Sequence, residues 1–189
     1  MPDDADYSFL GIGDRRWALY ASLITVFGLG TVIVTAGWAI YEYRQEQEAR
    51  RIEYTLSVID SWEEHGYRLA YGKLRRAHAA FIDGISAAEL ELAAQSDTAR
   101  ANIMRNFTRM VGADPQIAEN VREVMYFFNR LALCINAGIC TTSTSRHFFD
   151  DTVSTFLEAY GPYIEQHRDD FPGSSQTVFD LSAMLNASP

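Results

Sequence analysis

The chain has 189 residues, a net charge of −9, a hydrophobic share of 48% and two cysteines. That length leaves room for a membrane helix beside one domain of about 145 residues, enough to fold without metal or disulfide staples. The acidic balance argues against nucleic acid and anionic headgroups as partners, and two cysteines exclude a disulfide scaffold.

Residues 1–14 read as an acidic N-terminal tail containing Pro2, Gly11 and Gly13, ordered only by a neighbour. A transmembrane helix is predicted over 15–43. Trp17 to Tyr41 are 25 consecutive positions without a charged side chain. As a helix they would be roughly 37 Å long, against a hydrocarbon core of about 30 Å. Trp17 and Tyr20 at one end, and Trp38 and Tyr41 at the other, suit the headgroup zone as interface anchors. The run exceeds the apolar core of a cleaved signal peptide. Arg15 and Arg16 precede it, while Arg44, Arg50 and Arg51 follow. Three arginines against two favour a cytoplasmic C-terminal domain, and the location expected is a bacterial inner membrane, crossed once. Within the run, Gly28, Thr31 and Thr35 fall along one face at spacings of three and four. Small residues let helix backbones approach closely, so this face is the candidate contact for a partner helix. Gly30 is placed on a different face.

Residues 44–189 are expected to form a soluble helical domain. No Pro or Gly interrupts the chain after the run until Gly66, so the span should continue as a stalk helix. Ile52, Leu56, Ile59 and Trp62 make an apolar stripe, resumed by Tyr67, Leu69, Tyr71, Leu74, Ala77 and Phe81. Gly84 marks an end. Ser86 with Glu89 reads as a capping box. Asp97 opens a helix presenting Ile103, Phe107, Met110 and Val111. Asp114-Pro115 is a strong start signal for a helix carrying Ile117, Val121, Val124, Phe128, Leu131 and Ile135, closed at Gly138. Tyr126, Phe127 and Phe128 in a row cannot all face one core, so at least one must point outward. A further helix offers Phe149, Val153, Phe156, Leu157 and Tyr160, and Gly161-Pro162 should break or kink it. Val178, Leu181 and Leu185 mark a final helix. No segment alternates with period two. The fold class is all-α: a single membrane helix, a stalk, and a compact helical bundle.

Two stretches carry a resemblance. One runs from Ile52 through Asp60-Ser61-Trp62, with Arg68 and Ala70 beyond it. The other is Val124-Met125-Tyr126-Phe127-Phe128-Asn129-Arg130-Leu131-Ala132-Leu133, closed by Gly138 and continuing through Phe148-Phe149-Asp150-Asp151 to Tyr160-Gly161-Pro162-Tyr163-Ile164-Glu165. Together they resemble the bacterial domain-of-unknown-function family 4760 over residues 50–187, apart from a poorly matched middle at about 84–114. Gly161 stands where that family usually has a basic residue. The resemblance implies a compact helical domain on a membrane anchor and assigns no activity.

Chemistry is sparse. His147 and Asp151 are four apart and could share a metal, but no Cys or second His stands at ligand spacing, and a solvated helix start explains them. Glu119 and Glu123 read as first-turn acids. Cys134 reads as a buried inert thiol; pairing it with Cys140 would need a sharp turn at Gly138 and an oxidising compartment. Di-iron, zinc-protease, phosphate-loop, dinucleotide and nucleophile-elbow signatures are absent from the sequence. No cofactor, metal or catalytic residue is expected. The function expected is a non-catalytic accessory, scaffolding or assembly subunit of a larger inner-membrane complex, with respiratory and photosynthetic assemblies as analogies. Its partners would be other membrane proteins and the lipid bilayer. The competing readings are a membrane-anchored ligand-sensing or regulatory domain and a small helical enzyme with an acidic pocket.

Overall fold

The computed structural model describes the backbone of residues 14–171 and 173–187, with side chains described from Phe27 onward except Leu29. Among these residues it is all-α: α1 Asp14–Glu64, α2 Tyr67–Asp83, α3 Ala87–Gln95, α4 Asp97–Ala113, α5 Pro115–Asn136, α6 Thr142–Gln166, a short 3₁₀ turn Arg168–Asp170, and α7 Ser174–Asn186. Two compact units divide the chain, the first ending at Ala49 and the second beginning at Arg50. Among the described residues no helix is long and apolar enough to cross a membrane. The expected span over 15–43 therefore finds no support there; the side chains of its residues 15–26 and of Leu29 lie outside the described set. The anchors Trp17 and Tyr20 and the acidic tail fall outside it as well.

The second unit is built around α5, which packs against α2, α4, α6 and α7. Its start follows from chemistry read directly off the chain. The Asp114 carboxylate accepts from the N–H groups of Gln116 (2.8 Å) and Ile117 (3.3 Å), and Pro115 occupies the first turn where no N–H is needed. Val121, Val124, Phe127, Phe128, Leu131 and Ala132 along α5 are fully enclosed. The capping box at α3 forms as expected, with Ser86 Oγ accepting from Glu89 N and the Glu89 carboxylate accepting from Ser86 N. The Ser86 hydroxyl also donates to that carboxylate at 2.7 Å, and this bond, with the one from Ser86 N, holds the Glu89 carboxyl below its usual range. Gly66, in the left-handed region at φ 81°, separates α1 from α2.

Three expectations change. Ile52 and Leu56 are exposed, as is Leu69. The buried face of α1 within this unit instead runs through Thr55, Ser61 and Trp62, flanked by Val58 and Ile59. Thr55 takes an inward position because its hydroxyl is needed there: Oγ1 accepts from Thr141 N at 2.9 Å at the start of α6 and donates to Arg51 O at 2.7 Å. Nor does Gly161-Pro162 break α6, which runs through both residues. Pro162 is on the exposed side, so the carbonyl it leaves unpaired can meet water. Its neighbours Tyr160, Tyr163 and Ile164 are buried and hold the helical path.

Candidate functional site

In the first unit the described helix surface from Phe27 to Tyr41 carries no charged side chain. Phe27, Val32, Ile33, Val34, Trp38 and Ile40 are 58% to 73% exposed. Gly28, Thr31 and Thr35 lie among them. Thr31 Oγ1 donates to Phe27 O at 2.9 Å and Thr35 Oγ1 donates to Thr31 O at 2.8 Å. Both hydroxyls are thus satisfied inside the helix, leaving a surface of low relief without unpaired donors. A Cβ at Gly28 or Gly30 would meet nothing within 4 Å. A shallow depression of about 360 Å³ is lined by Phe27, Gly30, Thr31, Val34 and Thr35, so Gly30 borders the threonines more closely than its spacing suggests. Trp38 and Tyr41 are exposed with ring centroids 6.2 Å apart, and Tyr41 OH accepts from Gln45 Nε2 at 2.7 Å.

In the second unit the aromatic residues form a core rather than a binding cleft. Trp62 lies 4.7 Å from Phe127, 5.7 Å from Phe128 and 5.6 Å from Phe149, measured between ring centroids. Phe127 and Phe128 are enclosed while Tyr126 is 56% exposed, the outward member of the triplet. Arg130 sits over the Tyr126 ring at 5.9 Å, and Leu133 is exposed farther along α5. Tyr160 is buried and its hydroxyl donates to Leu74 O at 2.7 Å. Burial pushes the Tyr160 phenol far above its usual pKa, with Tyr71 adding to the effect. Burial raises Tyr71 against the opposing pull of Arg75. It raises Tyr163 as well, with Arg122 opposing and Asp170 adding to it.

His147 and Asp151 border an open depression of about 430 Å³ with Ser143, Arg146, Phe148 and Asp150. Among the described residues no three His, Cys, Asp or Glu side chains converge as a metal site. Glu119 pairs with Arg122 on the surface, a pair worth little in water.

The cysteines depart from the expected inert thiol. Cys134 and Cys140 form a disulfide with their Cα atoms 5.2 Å apart. The sharp turn this requires is present: Gly138 has φ +67°, and the N–H groups of Ile139 and Cys140 both donate to Cys134 O.

A family model described as a domain of unknown function (DUF4760) matches residues 29–175. The chain belongs to the DUF4760 family. The DUF4760 match begins upstream of the resemblance at residue 50, so it takes in Thr31, Thr35, Trp38 and Tyr41. It also covers the stretch at 84–114, where the sequence motifs were weak, and ends at the start of α7. No curated protein and no solved structure matches the chain. Thr55 and Tyr160, two of the polar groups that tie helices together, lie within the DUF4760 region. Sequence periodicity passes over Thr55 because it scores side chains by polarity.

Proposed function

We propose that the chain is a membrane-anchored, non-catalytic accessory or scaffolding subunit of a larger bacterial inner-membrane complex. The observation that carries this reading is the all-round apolar exposure of α1 from Phe27 to Ile40. A helix apolar on every side belongs inside a protein core or a bilayer. Only fourteen of the 25 charge-free positions, residues 27–41 without Leu29, fall where side chains are described. That is shorter than the roughly 20 residues a span needs. The full run from Trp17 meets the requirement.

A span alone gains nothing hydrophobic by meeting another helix, since lipid is equally apolar. Association needs close packing, and Gly28, Thr31 and Thr35 offer it with their hydroxyls already satisfied. The partner is accordingly a helix of another membrane protein. The test is Gly28→Leu, which keeps the run apolar and fills the open face. The variant should still enter the membrane and should lose copurifying partners in mild detergent. Equal partner yield would reduce the helix to a plain anchor and move recognition to the bundle.

A further inference from the structure

We infer that the helical bundle faces the oxidising side of the membrane, held there with its Cys134–Cys140 bond closed. This rests on the membrane-anchored reading and reverses the orientation that the flanking arginines favour by three to two. One arginine is a small margin, because that rule is a bias in charge counts and acidic residues barely enter it. The cysteine pair is a sharper discriminator. Disulfides persist in the bacterial periplasm, whereas cytosolic thiol systems keep such pairs reduced.

The geometry around the pair is that of a built structural bond. These are the chain's only two cysteines, so no third thiol can exchange with them intramolecularly. Cys140 is fully enclosed and Cys134 is partly buried against the core. The left-handed Gly138 turns the backbone so that the two Cα atoms stand 5.2 Å apart, within the range a disulfide spans. The closed turn is also tied to α1. Cys140 O accepts from Arg51 Nη2 at 3.4 Å, and Thr141 N donates to Thr55 Oγ1 at 2.9 Å. The bond therefore fixes the α5–α6 turn against the segment of α1 that opens the bundle.

Its formation is a two-electron oxidation. One cysteine thiolate attacks the disulfide of an envelope thiol–disulfide oxidoreductase and gives a mixed disulfide. The second thiolate displaces the enzyme, which leaves as a dithiol. The chain loses two thiol protons and two electrons, and the donor's disulfide takes them up.

The experiment uses the full chain in bacterial cells, acid-quenched and then treated with a maleimide-linked polyethylene glycol, with and without prior reduction. The expected result is no added polymer before reduction and two after it. Cells lacking the envelope oxidoreductase should give two additions without reduction. A C-terminal alkaline phosphatase fusion, active only outside the cytoplasm, should be active. Two additions in unreduced wild-type cells, or an intact membrane-bound fusion without phosphatase activity, would overturn the orientation. An alkaline carbonate wash of the same membranes separates the two readings. A chain that stays in the pellet with free thiols refutes the orientation alone. A chain washed off with its disulfide closed refutes the anchor instead.

Discussion

Replacing Tyr160 with Phe removes one hydroxyl and little else. That hydroxyl is buried and donates to Leu74 O at 2.7 Å. Leu74 lies inside α2, where its carbonyl also accepts the helical N–H four residues on. The variant leaves no orphaned acceptor, so the loss should be the net worth of one hydrogen bond, about 1 kcal/mol. For a domain of this size that lowers Tm by roughly 4 °C. The pH dependence should change as well. An unfolded tyrosine ionises near pH 10, while burial holds the folded Tyr160 phenol neutral well above that. The stabilisation is fully present below pH 10. Above it the unfolded chain binds fewer protons than the folded one, and stability falls by about 1.4 kcal/mol per pH unit for this phenol. Tyr71 and Tyr163, both raised, contribute to the same decline and remain in the variant. Denaturant unfolding followed by tryptophan fluorescence at pH 8 and pH 11 measures both effects. The Tyr160→Phe protein should be slightly less stable at pH 8 and decline less steeply between the two. A loss above about 3 kcal/mol, beyond any single neutral bond, or an unchanged alkaline decline would refute this reasoning.

Trp62→Ala should cost about 3–5 kcal/mol, because a ring packed among Phe127, Phe128 and Phe149 leaves a cavity that three aromatic neighbours cannot close. Thermal unfolding of the detergent-solubilised chain measures it, and a cost under 1 kcal/mol would contradict the packing. Asp114→Ala removes two N-cap bonds at the start of α5 and should cost about 1 kcal/mol, with Asp114→Asn recovering most of it. Equal loss in both variants would point to the charge rather than the cap. Opening the disulfide releases a turn closed across six residues, for which chain entropy gives about 2 kcal/mol. Unfolding the same sample with and without reductant should show that difference in midpoint.

Much of the bundle is legible in the sequence where one local signal decides. Asp114-Pro115 starts α5 because cap and proline satisfy the same helix end, and Ser86 with Glu89 does the same for α3. The apolar spacing on α5 and α6 marks their buried faces because the helical period alone sets them. Legibility fails where distant partners decide. Ile52 and Leu56 look like core by spacing, yet Thr55 takes the inward position because α6 begins opposite it. Pro162 looks like a break, yet tertiary packing carries α6 through it. The disulfide depends on how Gly138 aims the chain, which two cysteines six apart do not specify. Of the candidate contact face, the threonine spacing is readable, but the place of Gly30 beside it emerges only with the helix surface.

The central claim is that residues 17–41 anchor the chain in a bilayer, and alkaline carbonate extraction of membranes from cells making the full chain tests it most directly. The chain should remain in the membrane pellet, and Val32→Asp, placing a charge costing roughly 2.5–3.5 kcal/mol near the centre of the run, should shift a substantial share to the supernatant. Recovery of the unaltered chain as folded protein in the carbonate supernatant would contradict the account.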